Sequence, residues 1–185
     1  MLVQHCSRLL STAAPRAVGD FSALRVVSFP TGKALESSAA FAAGSILFRF
    51  TGSIRRNNIG DRSLSVGSEA HLTSLEPEQP WVFLNHSFSP SVRLSHGRVA
   101  NADALPPVLT ATAAVDLLPG APLTINYTLH EWEMFGQGFL CAESGRTVRG
   151  FKHLTDQEKD AALPFAADHI KSLHLQHLFG SESRC

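Results

Sequence analysis

Apolar and polar residues alternate in short runs across residues 21–127. Ile46, Phe48 and Phe50 alternate with Leu47, Arg49 and Thr51, and Leu64 and Val66 repeat the period. Val92 and Leu94 do so again, followed by Val108, Thr110 and Thr112, and by Leu123, Ile125 and Tyr127. Successive strand side chains point to opposite faces, so this pattern predicts half-buried strands. Turn-forming residues separate the runs: Pro30-Thr31-Gly32, Thr51-Gly52-Ser53, Asn57-Asn58, Gly60-Asp61, His96-Gly97, Pro106-Pro107 and Pro119-Gly120. Many short strands with frequent turns predict a mainly β domain rather than βαβ units. The alanine-rich residues 35–44 read equally as a helical turn or a loop. No internal repeat is present.

The pattern changes after Tyr127. Residues 128–150 are irregular and aromatic, with Trp132, Phe135 and Phe139. Thr155 and Glu158 then have the spacing of a capping box, in which each satisfies a backbone N–H of the other, and so predict a helix start. Pro164 should end or kink that helix, or begin a second one. Residues 165–179 read as helical, with Ile170, Leu173 and His177 on one face. His169, His174 and His177 have no acidic or cysteine partners at ligand spacing, so they read as solvated or partly packed rather than metal-binding.

Composition narrows the picture. The chain has 185 residues and is 44% hydrophobic, enough for a core. Its 16 basic and 16 acidic residues cancel, which disfavours a dedicated nucleic-acid binder. The one basic pair, Arg55-Arg56, reads as a solvated loop. Cys6, Cys141 and Cys185 are too scattered for a disulfide framework or zinc ribbon. No apolar run reaches the roughly 18 residues of a membrane helix. Residues 1–20 carry Arg8 and Arg16 but no acid before Asp20. They read either as an organellar targeting leader, mitochondrial or plastid-like, or as a disordered N-terminus.

One segment carries a more specific signal. Trp81-Val82-Phe83-Leu84-Asn85-His86-Ser87-Phe88-Ser89-Pro90 resembles the signature loop of SET-domain protein-lysine methyltransferases, an apolar lead followed by Asn-His-Ser-Cys, a spacer and Pro-Asn. Phe88 stands at the usual cysteine and Ser91 at the usual asparagine. Upstream, Gly32-Lys33-Ala34 resembles the family's opening glycine motif, and Phe50-Thr51-Gly52 its Tyr-x-Gly strand. Downstream, the run from Ala114 through Asp116, Pro119-Gly120 and Asn126-Tyr127 resembles the segment ending in Asp-Tyr. Phe139-Leu140-Cys141 and Arg149-Gly150-Phe151 resemble the outer parts of the post-SET tail. These pieces occur in family order across residues 24–151.

The resemblance implies a SET-type fold: mainly β (β+α), with a knot-like C-terminal segment followed by C-terminal helices. It divides the chain into a leader (1–20), a SET-like domain (21–127), a degenerate post-SET-like segment (128–151) and a helical extension (152–185). It implies S-adenosylmethionine-dependent methyl transfer to lysine in a protein substrate, or a catalytically inactive SET-like binding or assembly module. The cofactor would lie on Gly32, Lys33, Ala34, Asn85 and His86. Asn85 would hold its amino-acid end and His86 would meet the adenine through backbone groups. Tyr127 would be catalytic, its hydroxyl between sulfonium and amine. Phe50, Trp132, Phe135 and Phe139 would form the substrate channel. The partner would be a lysine-containing peptide segment, with no direct nucleic-acid or membrane contact. Family members work mostly in nucleus and cytosol.

Departures from the motif bear on activity. Ala34 replaces a glycine, Phe50 a tyrosine and Asn126 an acid. The tail's Cys-x-Cys-x4-Cys becomes Cys141, Glu143 and Val148, so no metal site and no zinc are expected; aromatic packing by Trp132, Phe135, Phe139 and Phe151 should hold it instead. The short stretch between Gly52 and Trp81 corresponds to the family's substrate-selecting insert. Read singly, each residue has a plainer meaning: Tyr127 a core tyrosine in phase with Leu123 and Ile125, Asn85-His86-Ser87 a strand-end turn, Gly32 a β-turn glycine. A small β-rich interaction domain outside the family remains the third reading.

Overall fold

The computed structural model describes residues 17–56, 62–96, 106–134 and 136–180. Phe135, Cys6, Cys185, most of the leader, and the turns at Asn57-Asn58, Gly60-Asp61 and Gly97 lie outside the described residues. The fold is mainly β, built from small sheets, with two short helices at its C-terminal end.

Strands β1 (Leu24–Phe29) and β2 (Gly32–Ser37) form an antiparallel hairpin with Phe29 opposite Gly32. Pro30 and Thr31 make its turn, as the turn signal predicts. The alanine-rich stretch is therefore a strand as far as Ser37. It then crosses the molecule irregularly, bridging Phe41 to Leu117.

Strand β3 (Ile46–Phe50) is followed by β4 (Ser53–Arg56), β5 (Ser63–Ser65) and β6 (Ala70–Thr73). The last three form an antiparallel sheet in the order β4-β6-β5. Arg55 and Arg56 are solvated but lie in edge strand β4, not in a loop. Backbone pairing to β6 fixes that strand despite side chains with no apolar alternation. Leu64 and Leu72 pair across this sheet and are buried. Gly52 enters it so closely that a Cβ there would lie 2.0 Å from the Thr73 carbonyl oxygen. Close backbone approach, rather than an unusual dihedral, is what requires glycine at this position.

After β7 (Asn85–His86) and β8 (Val92–His96) comes β9 (Leu109–Ala113), which joins β3 and β8 in the order β3-β9-β8. The inward residues of β9 are Leu109, Ala111 and Ala113, one position out of step with the Val108, Thr110 and Thr112 series. Ala111 lies between Phe48 and Leu94, a small residue where its neighbours are large. A register shift between Ile46 and Phe48 turns both Leu47 and Phe48 inward, breaking the simple alternation of β3. Short β10 (Thr124–Ile125) pairs in parallel with β7.

Strands β11 (Phe139–Leu140) and β12 (Thr147–Val148) form a hairpin in the tail. Helix α1 (Asp156–Ala162) starts with the predicted capping box, Thr155 and Glu158 each accepting a backbone N–H of the other. Pro164 sits in the 3-10 turn Leu163–Phe165, and α2 (Asp168–Gly180) follows. Phe151 and Ile170 are fully buried and pack with Ala166 and Ala167, so tail and helices share one small core. Burying side chains of this size contributes about 2–3 kcal/mol each. The helix histidines pack locally: His169 Nε2 lies 2.8 Å from the His130 carbonyl oxygen, and the rings of His174 and His177 meet Phe151 and Trp132. No helix among the described residues is long and apolar enough to cross a membrane.

Candidate active site

The site begins at the parallel contact of β7 and β10, which sets Asn85 beside Thr124 and His86 beside Ile125. The Ser87 N–H continues it by donating to the Ile125 carbonyl. Ser91 locks the loop from the other end: its hydroxyl donates to the Pro122 carbonyl and accepts the Thr124 N–H at 2.9 Å. Ser91 is thus a structural tie.

His86 is held by its partners. Its Nδ1 accepts the backbone N–H of Tyr127 at 3.1 Å, which for a neutral ring puts the proton on Nε2. Phe88, Tyr127 and Phe139 surround the ring edge-on, with centroids 4.6, 5.3 and 5.8 Å away. Burial in this setting pushes its pKa down to about 4. His86 is therefore neutral at physiological pH.

Tyr127 opens the 3-10 turn Tyr127–Leu129 instead of continuing the strand. Asn126 caps the turn, its Oδ1 accepting both the N–H and the hydroxyl of Thr128. An asparagine meets this need as an acid would, because the bonds require only an acceptor oxygen. The Tyr127 hydroxyl donates to the Leu84 carbonyl at 2.7 Å.

A cleft of about 760 Å³ lies in front of Asn85 and Tyr127; the His86 side chain, packed among Phe88, Tyr127 and Phe139, does not line it. Gly32 and Lys33 reach it from the hairpin, Asn85 from β7 and Tyr127 from its turn. The Asn85 side-chain N–H donates to the Lys33 carbonyl at 3.1 Å, joining the glycine motif to the Asn-His loop. Gly32 has φ 144°, and a Cβ built on it would meet nothing within 4 Å, so its backbone is open to the cleft. Ala34 does not line the cleft; it is half-buried in the hairpin opposite Val27. Its methyl therefore does not intrude on the cleft.

The proposed channel residues separate. Phe139 lies beside Tyr127, with ring centroids 6.0 Å apart. Phe50 and Tyr127 both border a cavity of about 50 Å³, together with Trp81. Phe50 stacks on Trp81 at 4.8 Å, and both are buried. Trp132 is elsewhere: it stacks on Phe151 at 6.0 Å in the C-terminal core. The tryptophan next to Tyr127's cavity is Trp81, drawn inward by the 3-10 turn Pro80–Phe83. Its position at the head of the Asn-His segment was the available signal.

Glu131 also lines the cleft and was not anticipated. Its N–H donates to the Tyr127 carbonyl, and its Oε1 accepts the Ser65 N–H at 2.8 Å. Burial raises its pKa to about 6, against the opposing pull of the Ser65 hydrogen bond. Only the long-range fold makes this residue visible, since it sits in an irregular stretch.

The tail closes over the loop. The Ser87 hydroxyl donates to Glu143, and the Arg146 guanidinium lies 4.2 Å from the Phe88 ring centroid. Arg146 also pairs with Glu158 of α1. On the other side of β10, a second groove of about 550 Å³ runs between β8 and α1, lined largely by apolar groups. Among the described residues no cluster of three or more His, Cys, Asp or Glu could hold a metal ion. No family model matches the chain, and neither does any curated protein.

Proposed function

We propose that the chain is an S-adenosylmethionine-dependent protein-lysine N-methyltransferase of SET type, with the knot-like C-terminal segment of that fold. The observation that carries this reading is the convergence of Gly32-Lys33, Asn85 and Tyr127, from three distant segments, on one cleft. The cleft's volume suits a ligand of this size. Its open glycine backbone and the Asn85 amide, whose oxygen can accept from an ammonium, suit the cofactor's amino-acid end. Bound there, S-adenosylmethionine supplies a methyl group activated by its sulfonium.

The chain's own contribution is positioning. Tyr127 borders both the cleft and the small cavity beside Phe50 and Trp81, so it stands where cofactor and amine would approach in line. The Leu84 carbonyl and the Tyr127 hydroxyl place polar oxygens at that boundary. The cavity wall, apolar apart from Arg62 and the Tyr127 hydroxyl, lowers the pKa of an entering lysine by desolvation, and the Arg62 charge acts in the same direction, favouring the neutral amine that attacks. The partner on this reading is a lysine-containing peptide segment, with no nucleic acid or membrane involved.

A zinc ion does not fit. The family's four cysteine positions hold Phe88, Cys141, Glu143 and Val148 here, one thiol and one carboxylate for a metal that takes about four ligands. The Ser87–Glu143 bond and the Arg146–Phe88 contact join loop to tail in its place.

A SET-like module that binds without transferring methyl groups is the second reading. Phe50 favours it, because a phenyl ring in that stack offers no hydroxyl to orient an amine. Calorimetry with S-adenosylmethionine should show binding that Asn85→Ala weakens. No binding at about millimolar cofactor would remove the first reading. Cofactor binding without transfer to any lysine in a peptide library would establish the second.

A further inference from the structure

The lining of the cleft carries both signs of charge. Lys33 and Arg62 lie over the same Phe83 ring, 5.0 and 5.6 Å from its centroid. Arg62 also pairs with Glu78 at 2.6 Å. Glu131 is the acid among the described lining residues. Its backbone is clamped on both sides, the N–H to Tyr127 and the carbonyl to the Phe151 N–H. Its carboxylate accepts from Ser65, and no cation among the described residues pairs with it.

Glu131 is half-buried, and a partly desolvated carboxylate with one hydrogen bond and no counter-ion costs free energy. Such a group is retained where something else supplies the positive charge. A ligand that brings a cation to Glu131 and an anion to the two cations on Phe83 complements the lining of this cleft. A zwitterion does both.

We propose that Glu131 binds the ammonium of a ligand's α-amino-acid group while Lys33 and Arg62 take its carboxylate. This rests on the cofactor reading above and deepens it: the cleft selects the amino-acid end of S-adenosylmethionine, not only its nucleoside. Asn85, which shares the cleft, completes the set of acceptors around the ammonium.

The test compares two ligands on the full chain by calorimetry. S-adenosylhomocysteine carries the amino-acid end, whereas 5′-methylthioadenosine keeps the purine and thioether without it. The wild type should prefer the first by about tenfold or more, the size of a charge-assisted hydrogen bond. Glu131→Gln should remove most of that preference and leave methylthioadenosine binding unchanged. A second measurement needs no variant: the wild-type preference should fall as pH drops below about 6, where Glu131 gains its proton. The other groups around Glu131 do not reproduce this profile. The charged groups that share the cleft with Glu131 are Lys33 and Arg62, the latter paired with Glu78. His71, across from Ser65 on β6, is held neutral to lower pH by burial.

Equal binding of the two ligands by the wild type, or an unchanged preference in Glu131→Gln and across pH, would overturn this inference and leave the cofactor reading standing. Binding of neither ligand would remove the cofactor reading, and this inference with it.

Discussion

Glu131 should cost the protein stability, and Glu131→Gln should recover part of it. In the fold its pKa is about 6, against 4.5 for the free group, because burial disfavours the charged form. The folded chain therefore holds this proton more tightly than the unfolded chain. Glu131's contribution to stability is therefore greatest below the unfolded value of 4.5 and is lost as pH rises through 6. At pH 7.5 the whole gap is felt, about 2 kcal/mol. Glutamine is neutral throughout and keeps an acceptor for the Ser65 N–H. That bond loses charge assistance, which takes back about 1 kcal/mol. The variant should be more stable than wild type by about 1 kcal/mol at pH 7.5 and nearly equal at pH 4. Urea unfolding of both proteins from pH 4 to pH 8 measures the difference directly. A difference that does not change with pH, or a variant less stable at pH 7.5, would mean that Glu131 is not an uncompensated, partly desolvated acid.

Three further outcomes follow from named contacts. Tyr127→Phe keeps the ring contacts with His86 and Phe139 but leaves the Leu84 carbonyl without its donor. It should cost about 1 kcal/mol, or about 2–4 °C in Tm, and cut methyl transfer about a hundredfold while cofactor affinity holds; full activity would remove Tyr127 from the chemistry. Gly52→Ala drives a methyl into the Thr73 carbonyl and should cost about 3 kcal/mol or more, read as lost soluble yield and a collapsed thermal transition. The His86 ring should titrate near 4 by NMR. Because the unfolded ring takes up its proton near 6.5, stability should fall as pH drops from 6.5 toward 4. Partial exposure of the ring reduces this contribution to about 1–2 kcal/mol. A ring titrating near 6.5 contradicts the burial argument.

Strand existence was legible where alternation is driven by one buried face, as in β8 and β10. It failed where another force decides the geometry. The bulge in β3 buries Leu47 beside Phe48, and β4 is a strand by pairing alone. The α1 start was legible because a capping box is a local contact. Asn85, His86 and Tyr127 could be singled out as a set because each lies within a recognisable motif. Trp132 and Trp81 could not be ranked, since which ring enters the Tyr127 cavity depends on how the turn at Pro80 and the C-terminal core pack. Glu131 was invisible because its meaning comes from Ser65 on β5, a partner 66 positions away.

The bonds that hold the cleft and the segments behind it reach far along the chain. Tyr127 to His86 spans 41 positions, Asn85 to Lys33 52, Ser87 to Glu143 56 and Ser65 to Glu131 66. Loop closures of this length come late in folding, after their entropy has been met by the core. The cleft's lining comes from four segments, residues 28–33, 62–63, 82–85 and 127–134, which only the folded chain brings together. A ligand that fills it therefore recognises only the completed fold, and its binding free energy adds to the stability of the whole. At a hundred times its Kd, such a ligand would raise that stability by about 2.7 kcal/mol.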